Sequence, residues 1–413
     1  MPPQTLPETT DPAAVGMDPA RLARLDRHFA RYVDDGRLAG WQIVVSRRGH
    51  VVHSSVYGQR DREAGLPVTS DTLWRIYSMT KPVTAVAAMS LFEEGAFALT
   101  DEVACFLPAF ADARVLTGGS MTSPTTRPAT APMRIWHLLS HTAGLTYGFT
   151  RSSLLDEMYR AAGSDFAQPR GLDLAALCDL WASFPLLFDP GTAWNYSVAS
   201  DVLGRVLEVV TGRPLDEVFT ERVFGPLGMA DTCWWVEPER ADRLAALYIP
   251  EPGSGRALRY DPLGAGALRP PAFLGGGGGL VSTAADYRRF TAMLAGRGTF
   301  EGVRVLGPRT LELMARNHLP GAATLAALAR GSFAESRYDG VGFGLGFGVL
   351  LDPAAAKLPG RPGELSWGGA ASTSFFVDPV EELTAEFYTQ LIPSSTYPVR
   401  SELRQILYAA LVD

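Results

Sequence analysis

The stretch Ile76-Tyr77-Ser78-Met79-Thr80-Lys81-Pro82 puts a hydroxyl and an amine three residues apart, directly ahead of the apolar run 83–92. Residues three apart on a helix are surface neighbours, so the amine can reach the serine without help from distant parts of the chain. A helix that is apolar nearly all round is buried, and burial makes the Lys81 ammonium harder to keep charged. Pro82 fits if the helix begins at or just before Ser78, because the first helical N–H groups have no intrahelical partner. A helix N-terminus also favours an alkoxide and disfavours an ammonium. Together these effects describe an activated serine beside an unusually acidic lysine, one route to a nucleophile. Taken alone, Ser-x-x-Lys is a common pattern, and its bland alternative is a capping serine with a lysine stem lying along apolar surface.

The elements that must hold this pair follow from pattern and punctuation. Asp18-Pro19 is a cap followed by a proline at the first helical position, and Leu22, Leu25, Phe29 and Val33 then make one stripe that ends before Gly36. Residues 41–46 and 51–57 are apolar, β-rich runs either side of Arg47-Arg48-Gly49-His50, which predicts an antiparallel hairpin. The helix bearing Ser78 follows and stops at Gly95. From 96 to 274 Pro- and Gly-rich connections separate short helical patterns at 135–139, 172–181 and 197–210, and residues 116–132 read as a surface loop. The five glycines 275–279 read as a return crossing. They lack the Gly-Lys-Ser/Thr ending and the preceding strand of a phosphate loop. A helix at 282–294, strands at 342–351, 365–377 and 383–391, and an amphipathic helix at 397–411 complete the chain.

The fold class predicted is therefore α+β: an antiparallel sheet flanked by helices, built from residues 15–95 and 275–413. A mostly helical domain is inserted at 96–274, and an extended segment occupies 1–14.

Composition narrows the function classes. With 413 residues the chain exceeds what one hydrophobic core usually serves. Apolar residues at 46% and charged residues at 20% describe a globular protein. A net charge of −7 without basic runs argues against nucleic acid or anionic membrane as partners. Cys105, Cys178 and Cys233 are too few and too widely spaced for a disulfide framework or a cysteine zinc site, and suit a reducing cytoplasm. The N-terminus shows no positive start or apolar h-region, so no signal peptide is read. No apolar run is long enough for a transmembrane helix.

Two further motifs join the first. Tyr196-Ser197-Val198 lies within Pro190-Gly191-Thr192-Ala193-Trp194-Asn195-Tyr196-Ser197, and Trp367-Gly368-Gly369 lies near the C-terminus. In their order and separation these motifs resemble serine β-lactamase-like hydrolases of the class C β-lactamase and DD-peptidase superfamily, and within it the family VIII carboxylesterases. Residues 137–145, His-Leu-Leu-Ser-His-Thr-Ala-Gly-Leu, and Pro226-Leu227-Gly228-Met229 also resemble recurrent segments of these proteins. The likeness spans roughly residues 15–411.

The resemblance implies that Ser78 attacks an ester carbonyl and forms an acyl-enzyme, with Lys81 or Tyr196 as the general base. The sequence leaves that choice open, with a phenol beside an ammonium expected to be pulled down in pKa. It implies that the N–H groups of Ser78 and Ala370 form an oxyanion hole. Trp367, Gly368, Gly369 and Tyr147 are the substrate-binding candidates. β-Lactamases of this superfamily carry Lys-Thr-Gly where this chain has Trp367-Gly368-Gly369, and Asn where it has Val198. Losing the lysine removes a cation for a β-lactam carboxylate, and an aromatic ring there favours neutral, apolar groups. The substrate expected is a small neutral ester of short to medium chain length. An acyltransferase, an amidase or peptidase, a weak β-lactamase, and a non-catalytic scaffold are the alternatives.

No cofactor is implied. His137 and His141 stand four apart, but without the intervening carboxylate of His-Glu-x-x-His they read as structural residues and not metal ligands. No Gly-x-Ser-x-Gly occurs, so a nucleophile elbow has no candidate.

Overall fold

The two β-rich ends of the chain meet in one eight-stranded antiparallel sheet in the computed structural model, which describes residues 5–166, 169, 171–331, 335 and 337–413. Its strands are β1 (Gly40–Arg47), β2 (His50–Asp61), β3 (Leu66–Pro67), β4 (Val341–Phe343), β5 (Gly348–Leu350), β6 (Leu365–Gly368), β7 (Ser374–Asp378) and β8 (Leu383–Tyr388), in the order β4-β5-β6-β7-β8-β1-β2-β3. The chain-distant neighbours β1 and β8 pair from Gln42 opposite Tyr388 to Arg47 opposite Leu383. Strands β1, β7 and β8 are buried along their whole length, because both sheet faces are covered.

The helices that cover the sheet or frame the site are α1 (Pro19–Leu22), α2 (Arg24–Asp34), α3 (Thr80–Glu93), α4 (Ile135–Leu139), α5 (Ala199–Thr211), α6 (Ala284–Ala295) and α7 (Val399–Tyr408). Asp18 caps α1, accepting from Ala20 N at 2.8 Å, as its sequence signal requires. The two end helices share one sheet face: Leu25 and Phe29 of α2 and Leu403 and Leu407 of α7 pack with Ile43, Phe376 and Phe387. On the other face α3 is buried from Thr80 to Leu91. Its Val83, Val86 and Met89 belong to an apolar cluster that also takes in Val202, Leu203 and Val206 of α5 and Tyr287 and Phe290 of α6. The core is thus continuous from the sheet into the helical region that follows α3.

The structure corrects the strand reading at the C-terminal end. The predicted strand 342–351 is the hairpin β4–β5, and 365–377 is the hairpin β6–β7. Each run holds a tight turn whose residues are as buried as the strands, and in 365–377 even the turn residues Gly369, Ser372 and Thr373 are buried. The predicted loop at 116–132 contains an exposed hairpin, Arg114–Ser120 with Ser123–Pro128. Its strands are solvated on nearly every residue, so they carry no alternation. Of the extended segment predicted at 1–14, residues 1–4 lie outside the described residues, and Pro12–Val15 forms a 3-10 turn capped by Asp11. The three cysteines are free. Among the described residues no helix is long and apolar enough to cross a membrane.

Candidate active site

Ser78 sits in a 3-10 turn, Tyr77–Met79, that feeds directly into α3. Tyr77 has φ +43°, a left-handed conformation that costs a non-glycine residue about 1–2 kcal/mol. The turn is held from three sides. Ile76 N donates to Leu280 O at 3.0 Å, Tyr287 Oη of α6 donates to Met79 O at 2.9 Å, and Leu280 N donates to Thr80 Oγ1 at 3.2 Å. These contacts offset the strain and present Ser78 to a cavity of about 220 Å³.

Lys81, one turn along, is 2% exposed. Its Nζ lies 3.3 Å from Ser78 Oγ and donates to Gly277 O at 2.5 Å. It also stands 4.5 Å from the centre of the Tyr196 ring and 5.3 Å from that of Tyr147. Burial pushes the Lys81 pKa down to about 8, against the opposing pull of Asp201 and Glu335. Loss of hydration is the larger effect because Lys81 makes no direct carboxylate contact.

Tyr196 comes from the loop that leads into α5 and is 2% exposed. Ser78 and Trp367 are the polar side chains that act on its hydroxyl. The sequence-based expectation that a nearby ammonium lowers this phenol is overturned. Burial, reinforced by the Glu335 carboxylate, drives it well above its ordinary value, and the neighbouring Ser78 and Trp367 side chains offset only part of that. Tyr196 is therefore a neutral phenol at any pH near 7.

The remaining candidates divide. Tyr147 and Ala370 line the cavity with Ser78. Tyr147 stacks on Phe149 at 4.8 Å and meets Tyr196 edge-on at 5.3 Å. Trp367 does not line that cavity. It is 1% exposed, packs 5.5 Å from Tyr196 and 5.2 Å from Phe343, and borders a second cavity of about 640 Å³. Gly368 and Gly369 do not face the first cavity either. A Cβ on Gly369 would stand 2.3 Å from Ile76 O, so this glycine lets the end of β6 approach the backbone just before Ser78. Beyond it the turn to β7 places Ala370 at the cavity wall.

His137 and His141 are tied into the scaffold. Arg134 N donates to His137 Nδ1 at 2.9 Å, and His141 Nδ1 lies 3.2 Å from Ser197 Oγ. Burial lowers the pKa of both, with Arg134 adding to the effect at His137 and Lys81 at His141. No group of three or more His, Cys, Asp or Glu side chains among the described residues could hold a metal ion.

Several site residues escape sequence reasoning. Asp201, on α5, is buried and accepts from Gly277 N at 2.8 Å. Burial raises its pKa, while Lys81 and the Gly277 N–H hold it back. Its one sequence signal is a carboxylate in the first turn of this helix, five residues after Tyr196 and beside the apolar Val202 and Leu203. Gly277 belongs to the glycine run, which joins Lys81 to Asp201. Phe149, Phe166, Phe273 and Trp234 supply apolar cavity walls, and nothing local in the sequence distinguishes them from core aromatics.

The comparisons with known proteins give the family. The beta-lactamase family model matches residues 25–409. The chain belongs to the beta-lactamase family. Among its curated relatives, Protein Rv1367c of Mycobacterium tuberculosis is 39% identical over 87% of this chain and 88% of its own length. Esterase EstB of Burkholderia gladioli is 36% identical over 97% of this chain and 98% of its own. Among solved structures, EstCE1, described as a hydrolase with promiscuous acyltransferase activity, superposes with a TM-score of 0.78 at 31% identity, covering 94% of this chain and 99% of that one. Family membership and its esterase members fit the family VIII resemblance of the motifs and support a serine hydrolase acting on esters.

Proposed function

We propose that this beta-lactamase-family member is a serine carboxylesterase that hydrolyses neutral esters of short to medium chain length through an acyl-enzyme on Ser78. The observation that carries the reading is Lys81 Nζ, buried, lowered to a pKa of about 8 and 3.3 Å from Ser78 Oγ. At pH 7 about a tenth of such a lysine is neutral, enough to act as a base.

In this mechanism neutral Lys81 takes the Ser78 hydroxyl proton as Oγ bonds to the ester carbonyl carbon. The carbonyl oxygen becomes an oxyanion between the N–H groups of Ser78 and Ala370. Collapse of the tetrahedral intermediate breaks the bond to the alcohol, which leaves with a proton from Tyr196; Lys81 reprotonates Tyr196. Water then attacks the acyl-enzyme by the same steps in reverse roles, releasing the acid and restoring Ser78. The aromatic walls of the cavity favour apolar, uncharged acyl groups.

The test uses purified protein and p-nitrophenyl esters from acetate to decanoate. Turnover is expected to peak at short to medium chains and to vanish in Ser78→Ala; a Ser78→Ala variant that retains the parent rate would sink the reading. Labelling of Ser78 by a fluorophosphonate under native conditions separates this from a scaffold that has lost its chemistry.

A second reading, acyl transfer to an alcohol, is favoured by the larger cavity, which shares Phe149 and Glu335 with the first. It gives an acceptor somewhere to wait beside the acyl-enzyme. Adding a competing alcohol and measuring the partition between ester and acid tests it.

A further inference from the structure

Resting on the proposed acyl-enzyme reading, we infer that Arg400 of α7 is a positioning residue for the oxyanion site, acting through the peptide bond between Gly369 and Ala370. The carbonyl of Gly369 and the N–H of Ala370 are the two ends of one peptide unit. Arg400 Nη2 donates to Gly369 O at 2.9 Å and to Thr373 O at 3.0 Å, so it clamps both sides of the β6–β7 turn. The same nitrogen meets Glu335 Oε2 at 2.6 Å, and Nη1 donates to Glu335 O at 3.0 Å.

The clamp does two physical things. A charge-assisted hydrogen bond to the carbonyl fixes the plane of the peptide and hence the direction of the Ala370 N–H. It also draws electron density toward the carbonyl oxygen, which makes the N–H at the other end a stronger donor, the cooperative polarisation of linked hydrogen bonds. The Ala370 N–H donates to no protein acceptor among the described residues, while its neighbour Gly369 N is committed to Thr373 O at 2.9 Å. Ala370 thus offers an uncommitted donor at the wall of the cavity that contains Ser78.

Gly368 provides a second line of support. A Cβ there would stand 2.3 Å from Arg400 Cζ and Nη2. The guanidinium lies against this glycine, and any side chain here would push it off the carbonyls. The glycine of the Trp367-Gly368-Gly369 motif therefore has a reason for being glycine that involves no contact with substrate.

The experiment measures kcat and KM for p-nitrophenyl butyrate, together with the Ki of phenylboronic acid, whose adduct with Ser78 places an oxygen in the oxyanion position. Rates are normalised to sites titrated with a fluorophosphonate, so misfolded protein does not count. Removing a direct oxyanion donor costs about 10²–10³ in kcat; loss of its orientation in Arg400→Met is expected to lower kcat about tenfold or more, leave KM within threefold, and weaken phenylboronic acid by a similar factor. Arg400→Lys restores the charge and is expected to fall between the two. Gly368→Ala should reproduce the Arg400→Met phenotype. If Arg400→Met fails to fold, Arg400→Lys carries the test, with a kcat about threefold or more below the parent expected. Variants that match the parent per titrated site, with unchanged Ki, overturn the inference. A parent protein that hydrolyses no ester and does not label at Ser78 would instead overturn the functional reading beneath it.

Discussion

Asp201 and Lys81 are joined through a single residue of the glycine run: Gly277 N donates to Asp201 Oδ1 at 2.8 Å, and Gly277 O accepts from Lys81 Nζ at 2.5 Å. The carboxylate never touches the ammonium. It opposes the effect of burial on Lys81 without cancelling it, and the lysine stays at a pKa of about 8.

The pH profile should report this balance. If neutral Lys81 is the base, kcat/KM rises about tenfold between pH 7 and 9 as the lysine loses its proton. Asp201→Asn removes one opposing charge, so the rising limb moves to lower pH. Initial rates across pH 6 to 10, corrected for spontaneous hydrolysis, test both; a flat parent profile would remove Lys81 as the base.

The same lysine costs stability. Its folded pKa of about 8 lies below the unfolded value of about 10.4, so between those limits the unfolded chain holds more protons and stability rises with pH. Lys81→Met is expected to be inactive and more stable than the parent at pH 7, by on the order of 2 kcal/mol, with the difference shrinking toward pH 10. Urea unfolding at pH 7 and 9.5 measures it. Equal stabilities at pH 7 would mean the ammonium is better solvated than its surroundings indicate.

Behind the sheet, Glu386 of β8 behaves in the opposite sense. Burial raises it to about 7, with Thr291, Arg288 and Thr384 holding it down. The folded value now exceeds the unfolded one, so the stability this group contributes is full below about pH 4 and lost as pH rises through 7. Glu386→Gln can still accept from Thr291 and should unfold at a higher temperature than the parent at pH 8, with little difference at pH 5. Calorimetry at the two pH values decides; a variant less stable at pH 8 would show that the carboxylate is favourably paired.

Gly369→Ala tests the close approach of β6 to the turn that carries Ser78. The clash is with the backbone oxygen of Ile76, which cannot rotate away. A loss of about 1–3 kcal/mol of stability is expected, together with a drop in kcat that KM does not share. An active, stable variant would mean that the turn has slack.

Chain-length preference should follow the cavity and not the motif. Phe273→Ala enlarges the wall beside Ser78 and is expected to move the optimum to longer acyl chains. Trp367→Phe, which touches Tyr196 and borders the other cavity, should lower kcat across the ester series without changing its order. The ratio of kcat/KM for octanoate over butyrate is the readout, and a reversed pattern would return Trp367 to the acyl pocket.

Local chemistry made much of this molecule legible. The cap at Asp18, the hairpin β1–β2 and the apolar helix bearing Lys81 follow from signals a few residues long, and each is found where those signals put it. The hairpins β4–β5 and β6–β7 read as single strands in the sequence because burial on both faces erases alternation. The direction of the Tyr196 shift escapes the sequence for a related reason. A spacing argument sees the neighbouring amine but not the loss of water, and water is the larger effect.

By itself the sequence determined that a serine and a lysine share one helical turn, because neighbours three apart on a helix meet whatever the rest of the chain does. It also determined the order of the three motifs and, through their types, the class of chemistry. Only the tertiary structure decided that Asp201 and Gly277 stand behind Lys81, that Ala370 and not Trp367 faces the cavity, and that Arg400 reaches Gly369 from the far side. Those relations join residues far apart in sequence. They depend on strand register, tight turns and the depth of burial, none of which leaves a mark on the spacing of residues along the chain.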